Sequence, residues 1–135
     1  FKQELLGGVH DLDTDSLKVA LIKPSNSGTY GAAITNYSDL TGNTDEAVGT
    51  NYTAGGQILG SATISLSGST AFVDFGDEVF ANLTISADGA IIYNASQANK
   101  AVAVFDFGGT ITSTSGDFTL VFPTADATNA VIRIS

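Results

Sequence analysis

The chain has 135 residues, a formal net charge of −9, one histidine, and no cysteine, methionine or tryptophan. That length is near the usual size of one domain, which buries about two-thirds of its unfolded surface and needs no crosslink to hold a core. The missing cysteines exclude disulfides and thiolate metal sites, and five scattered cations (Lys2, Lys18, Lys23, Lys100 and Arg133) argue against nucleic acid and anionic membranes as partners.

Residues 1–6 have room for one or two helical turns ended by Gly7 and Gly8, or for an extended arm. His10 opens a polar stretch to Asp15, so residues 1–15 are set apart as an N-terminal arm and 16–135 as a single β-sandwich domain. No basic region followed by an apolar run stands at the start, so no signal peptide is expected, and Phe1 is expected to follow a removed initiator methionine. The apolar stretches fall well short of the ~20 residues of a membrane span.

Leu17, Val19 and Leu21 alternate with Lys18, Ala20 and Ile22 as a first strand, and Lys23 to Gly28 ends it with turn chemistry. Residues 29–56 change character: Asn, Thr, Gly, Ser and Asp surround isolated Tyr30, Ile34, Tyr37, Leu40, Val48 and Tyr52. Tyr37-Ser38-Asp39-Leu40 fits a single helical turn. A compact domain seldom carries so long a loop without a function. The segment is therefore the expected contact surface, with a plain covering loop as the alternative.

Strand patterns then follow quickly. Residues 58–66 alternate up to a turn at Ser67-Gly68-Ser69, and Ala71, Val73 and Phe75 alternate up to Gly76-Asp77. Val79, Ala81, Leu83 and Ile85 lead to Asp88-Gly89, a tight-turn dipeptide that makes 79–93 the best hairpin candidate. Residues 100–107 are β-prone and are broken by Gly108-Gly109. Phe118, Leu120 and Phe122 run into Pro123, and Ala130, Ile132 and Ile134 close the chain. With no βαβ unit and no sustained helical period, the expectation is an all-β, two-sheet antiparallel sandwich of about eight short strands, jelly-roll-like, with a small barrel as the alternative.

Few residues offer chemistry. Asp11-Leu12-Asp13-Thr14-Asp15 opens like a calcium loop, but Ser16 and Ile22 stand where an EF-hand needs glycine and a carboxylate. A looser calcium site competes with a simple hydrogen-bonded turn. His10 beside Asp11 lacks a G-x-S-x-G elbow to complete a triad, and a lone histidine is more often a turn or capping residue. Asp74, Asp77, Glu78 and Asp106 are candidates for paired carboxylates, one of Asp74 and Asp106 being expected to be partly buried, against edge charges that discourage strand pairing. Asn36, Asn51, Asn82 and Asn94 head N-x-S/T triplets that chance composition explains. Tyr30, Tyr37 and Tyr52 either anchor an interface or cap the open end of the sandwich. No cofactor is implied.

Several segments carry a resemblance: Phe1-Lys2-Gln3-Glu4-Leu5-Leu6-Gly7-Gly8 leading to Lys18-Val19-Ala20-Leu21-Ile22, and Gly49-Thr50-Asn51-Tyr52-Thr53-Ala54-Gly55-Gly56. To these add Gly89-Ala90-Ile91-Ile92-Tyr93-Asn94 running on to residues 101–108, and the stretch 122–130. In this order they resemble a group of small structural proteins of tailed bacteriophages, some of which are head decoration, or cement, proteins. The resemblance covers most of the chain and implies no catalytic residues. It implies a virion protein made in the bacterial host cytoplasm, placed on the head surface, and partnered with the major capsid protein. A homo-oligomer, dimer or trimer, is expected as well. In that reading Phe1, Leu5 and Leu6 of the arm, with Tyr30, Tyr37 and Tyr52, contact the capsid. The alternatives are a receptor- or glycan-binding module of a phage tail or fibre, a small hydrolase near Asp74 and Asp106, and a bacterial surface adhesin.

Overall fold

The computed structural model describes residues 1–60 and 62–135. The expected 58–66 strand includes Ser61, which lies outside the described residues. Helix α1 (Lys2–Leu6) precedes β1 (Leu17–Ile22), and α2 (Ser38–Gly42) lies in the polar segment. Strands β2 (Gln57–Ile58), β3 (Thr63–Ser67), β4 (Thr70–Asp74), β5 (Glu78–Asn94), β6 (Lys100–Leu120) and β7 (Ile132–Ile134) complete the chain. One sheet has the order β2-β1-β5-β6 and the other β3-β4-β7, and all their pairings are antiparallel. This is an all-β sandwich.

The described residues hold seven strands rather than about eight: the expected 58–66 strand falls into β2 and β3, while the breaks expected at Gly108-Gly109 and at Asp88-Gly89 do not end their strands, and at Asp88-Gly89 the expected turn is not one. Both residues lie inside β5. Ala87 pairs with Ile111 and Gly89 with Asp106, so residues 107–110 bulge opposite Asp88. The bulge is closed by side chains: the Thr110 hydroxyl donates to Asp88 Oδ1 at 2.5 Å, and the Gly108 amide donates to Asp106 Oδ1 at 2.8 Å. Gly89 is needed for space rather than for turning, since a Cβ there would lie 2.3 Å from the Phe105 carbonyl oxygen. Gly108, at φ 75°, likewise bends the strand without ending it. The true reversal is at residues 95–99, where Asn94 Oδ1 accepts from the Ser96 amide at 3.0 Å and Ala98 and Asn99 take left-handed φ values of 52° and 60°.

Two apolar layers result. Leu17, Val19 and Leu21 of β1 join Leu83, Ile85, Ile92, Phe80 and Phe118 between the sheets. Ala20 and Ile22 face the other way, with Ile91, Tyr93, Ala101 and Leu40. Strand β1 is thus buried on both faces, since the polar segment folds over the outside of the four-stranded sheet and drives Leu40 into it with no exposure. Helix α2 is set by a reciprocal cap: Asn36 Oδ1 accepts from the Ser38 amide, and Asp39 Oδ2 accepts from the Asn36 amide.

Candidate functional site

Asp45 and Glu46 organise the polar cover. Asp45 is fully buried and accepts from the Ser27 amide at 2.8 Å, the Gly28 amide at 2.8 Å and the Tyr30 hydroxyl at 2.6 Å, with Lys23 Nζ at 3.1 Å. Burial by itself would raise its carboxyl, but the Tyr30 hydroxyl, the Gly28 amide and Lys23 together hold it well below the usual carboxylate range. Glu46 accepts from the Tyr37 hydroxyl at 2.5 Å, the Tyr52 hydroxyl at 2.9 Å and the Gly55 amide at 2.6 Å. Tyr52 also accepts from the Leu21 amide at 2.9 Å, and Tyr37 stacks on Tyr93 at 4.5 Å. Burial and then Asp45 push the Tyr30 hydroxyl up to about 12. Burial followed by Glu46 raises Tyr37, whereas Tyr52 is raised chiefly by its own burial.

The three tyrosines expected at an interface therefore lie half-buried, with every hydroxyl committed to Asp45 or Glu46. Phe1 and Leu5 pack against the main core, and of the six expected contact residues Leu6 alone stands out in solvent, at 83% exposure. Sequence reasoning missed Asp45 and Glu46. They sit in a Gly/Asn/Thr/Asp stretch that reads as solvated loop, and their donors are remote or arrive through the turn at 27–30.

A second network ties α1 to the hairpin turn. Glu4 pairs with Lys100 and lies 3.4 Å from His10 Nε2, and its carboxyl is held down to about 2, chiefly by Lys100. His10 is buried, and its Nδ1 lies 3.1 Å from Asn94 Nδ2, which also donates to Asp15 Oδ2 at 2.6 Å. His10 is thus a buried bridge rather than a turn or capping residue, because α1 folds back over it. Asp15 further accepts from the Asp11 amide and Gln97, so its oxygens serve protein donors. Among the described residues no group of three or more His, Cys, Asp or Glu is placed to hold a metal ion.

The expected carboxylates do not converge. Asp74 and Asp106 are both exposed, correcting the expectation of partial burial, and they lie in different sheets. Asp77 accepts from the Phe122 amide at 2.9 Å, and burial raises Glu78. Asn94 is fully buried and cannot carry a glycan in the folded chain. An open cleft of about 290 Å³ lies between the cover and the β5–β6 bulge, with Asn26, Tyr30, Asp88 and Asp106 on its walls.

Two features stand out on the opposite edge. By register Ile64, Leu66, Ala71, Val73, Ile132 and Ile134 share one face of the three-stranded sheet. Val73 and Ile132 are buried in the core, but the same face overhangs the other sheet, leaving Ile64 52%, Leu66 72% and Ile134 50% exposed. Ile134 also lines a groove of about 570 Å³ between α1 and β7, whose other walls include Lys2, Leu5, Leu6 and Arg133.

Compared with protein-family models, with curated proteins and with solved structures, the chain matches none. What the fold and its surfaces define is an antiparallel β-sandwich whose outer face is covered by a hydrogen-bonded polar layer.

Proposed function

We propose that this chain is a non-enzymatic assembly protein, a decoration protein on the head of a tailed phage that binds the assembled shell and bridges major capsid subunits. The observation that carries this reading is the overhanging apolar face at Ile64, Leu66 and Ile134, continuous through Ile134 with the α1–β7 groove. Contiguous exposed apolar surface on a small acidic domain marks an interaction site. The resemblance noted in the sequence supplies the phage context, and with it the jelly-roll-like connectivity and dimeric or trimeric state expected of such proteins. Binding the shell but not its free subunits stabilises the shell by linkage, and many weak sites add through avidity. In this scheme α1 contributes Leu6 and Lys2 as one wall of the contact.

A second reading, a glycan-binding module of a tail or fibre, is favoured by one observation. The cleft beside Tyr30 presents two carboxylates and the Asn26 amide, groups that pair with sugar hydroxyls, next to an aromatic ring. Copy number and location separate the two. Quantitative mass spectrometry with cryo-electron microscopy of purified virions is expected to find hundreds of copies at regular positions on the head. A few copies at the tail would move the cleft and glycan-array binding to the front, and absence from virions would overturn both.

A further inference from the structure

We infer that the α1–β7 groove takes an extended segment of the partner chain that alternates apolar and acidic side chains and adds as a strand to β7. The inference deepens the assembly reading and rests on it for the partner's identity. Three observations converge on it. First, among the described residues β7 is the last strand of its sheet and pairs with β4 alone, so the amide and carbonyl groups on the other edge of this three-residue strand are open to a new strand. Second, the groove beside that edge is apolar in its floor, with Leu5, Val102, Ile132 and Ile134 lining it. A strand laid there would bury every second side chain.

Third, the charges are placed for an anion although the chain as a whole carries −9. Lys23 is held by Asp45 and Lys100 by Glu4, leaving Lys2, Lys18 and Arg133 without an ion pair among the described residues. Two of those three, Lys2 and Arg133, line this groove. Asp126 feels the Arg133 charge, but its oxygens are taken by the Thr128 and Asn129 amides and the Asn129 side chain. A second copy of this chain is disfavoured as the occupant, since it would bring −9 against −9.

The test uses a short synthetic peptide with valine at alternate positions and glutamate between them, against the same peptide with lysine for glutamate. Long-range attraction to an acidic protein favours the lysine peptide, so a preference for glutamate reports the groove itself. In NMR titrations of the full chain, the glutamate peptide is expected to shift the amides of Lys2, Val102 and Val131–Ser135 and to slow exchange in β7. It should bind about tenfold tighter than the lysine peptide, and a K2E/R133E double variant should reverse that order. Both substituted side chains are exposed and have no ion pair among the described residues, and far-UV circular dichroism checks that the variant folds. Equal or tighter binding of the lysine peptide to the unmodified chain would overturn the inference, as would no shift in β7. Concentration-dependent dimerisation that protects β7 without peptide would assign the groove to a second copy and also overturn it. Copy number in virions decides the decoration reading independently of either peptide.

Discussion

The Tyr30 hydroxyl donates to the Asp45 carboxylate at 2.6 Å, and through this contact a half-exposed aromatic ring closes a fully buried anionic site. Replacing Tyr30 by phenylalanine keeps the ring and removes one of several donors. Hydrogen bonds to charged groups contribute more than neutral ones, so Tyr30→Phe should cost about 1–3 kcal/mol. Asp45→Ala removes the acceptor shared by the Ser27 and Gly28 amides and the Tyr30 hydroxyl, while Lys23 keeps the Thr44 carbonyl, and should cost about 2–4 kcal/mol. Urea denaturation of the three proteins measures both, and equal stability of all three would show that the network does not hold the cover.

The same carboxylate makes stability depend on pH. Its folded pKa is depressed below the ordinary value of 3.8, so its contribution is present above that value and is lost as pH falls toward the folded one. The stability gap between the unmodified chain and Asp45→Asn should therefore be largest near about pH 7 and shrink below about pH 4. A gap that stays constant down to about pH 2 would sink the assignment. Glu4, also depressed, acts in the same direction, but its surface exposure leaves it a minor contributor.

Leu40 reports whether the polar segment is a folded layer. It has no exposure and packs with Ala20, Ile22, Ile91 and Tyr93 outside the main core. Leu40→Ala should destabilise by about 2–5 kcal/mol, as a core truncation does, and should speed hydrogen exchange between residues 23 and 56 first. A cost below about 0.5 kcal/mol would make the segment a loop after all.

Gly56 is locked between backbone strain and contact. It sits at φ +67°, and a Cβ there would come within 1.8 Å of the Val19 carbonyl oxygen, against which β2 pairs. Gly56→Ala should cost about 2–4 kcal/mol and loosen β2, whereas Gly31→Ala, with nothing within 4 Å, should be nearly neutral. Thermal melts of the two variants make the comparison.

The all-β class, the two short helices and strand β1 could be read from residue pattern because each rests on local chemistry. Alternation sets a strand's faces, and Asn36 and Asp39 cap a turn from a few residues away. Asp88-Gly89 misled for a related reason. The dipeptide favours a tight turn in isolation, yet here Thr110 takes up the aspartate and close approach to Phe105 demands the glycine.

The site-bearing features depended on distance along the chain. Alternation showed that Ile64, Leu66 and Ile134 belong on an apolar face, but only sheet packing decided that this face overhangs its partner and stays uncovered. Composition marked residues 29–56 as polar. Their hydroxyls and carboxylates turned inward because Asp45 could be buried, and Glu46 half-buried, only where amides, tyrosines and Lys23 were gathered around them. Secondary-structure class and net charge followed from the residues alone, since both are sums over local chemistry. Tertiary packing decided which charges were neutralised and which apolar side chains were left over, because pairing and coverage depend on what the fold brings together.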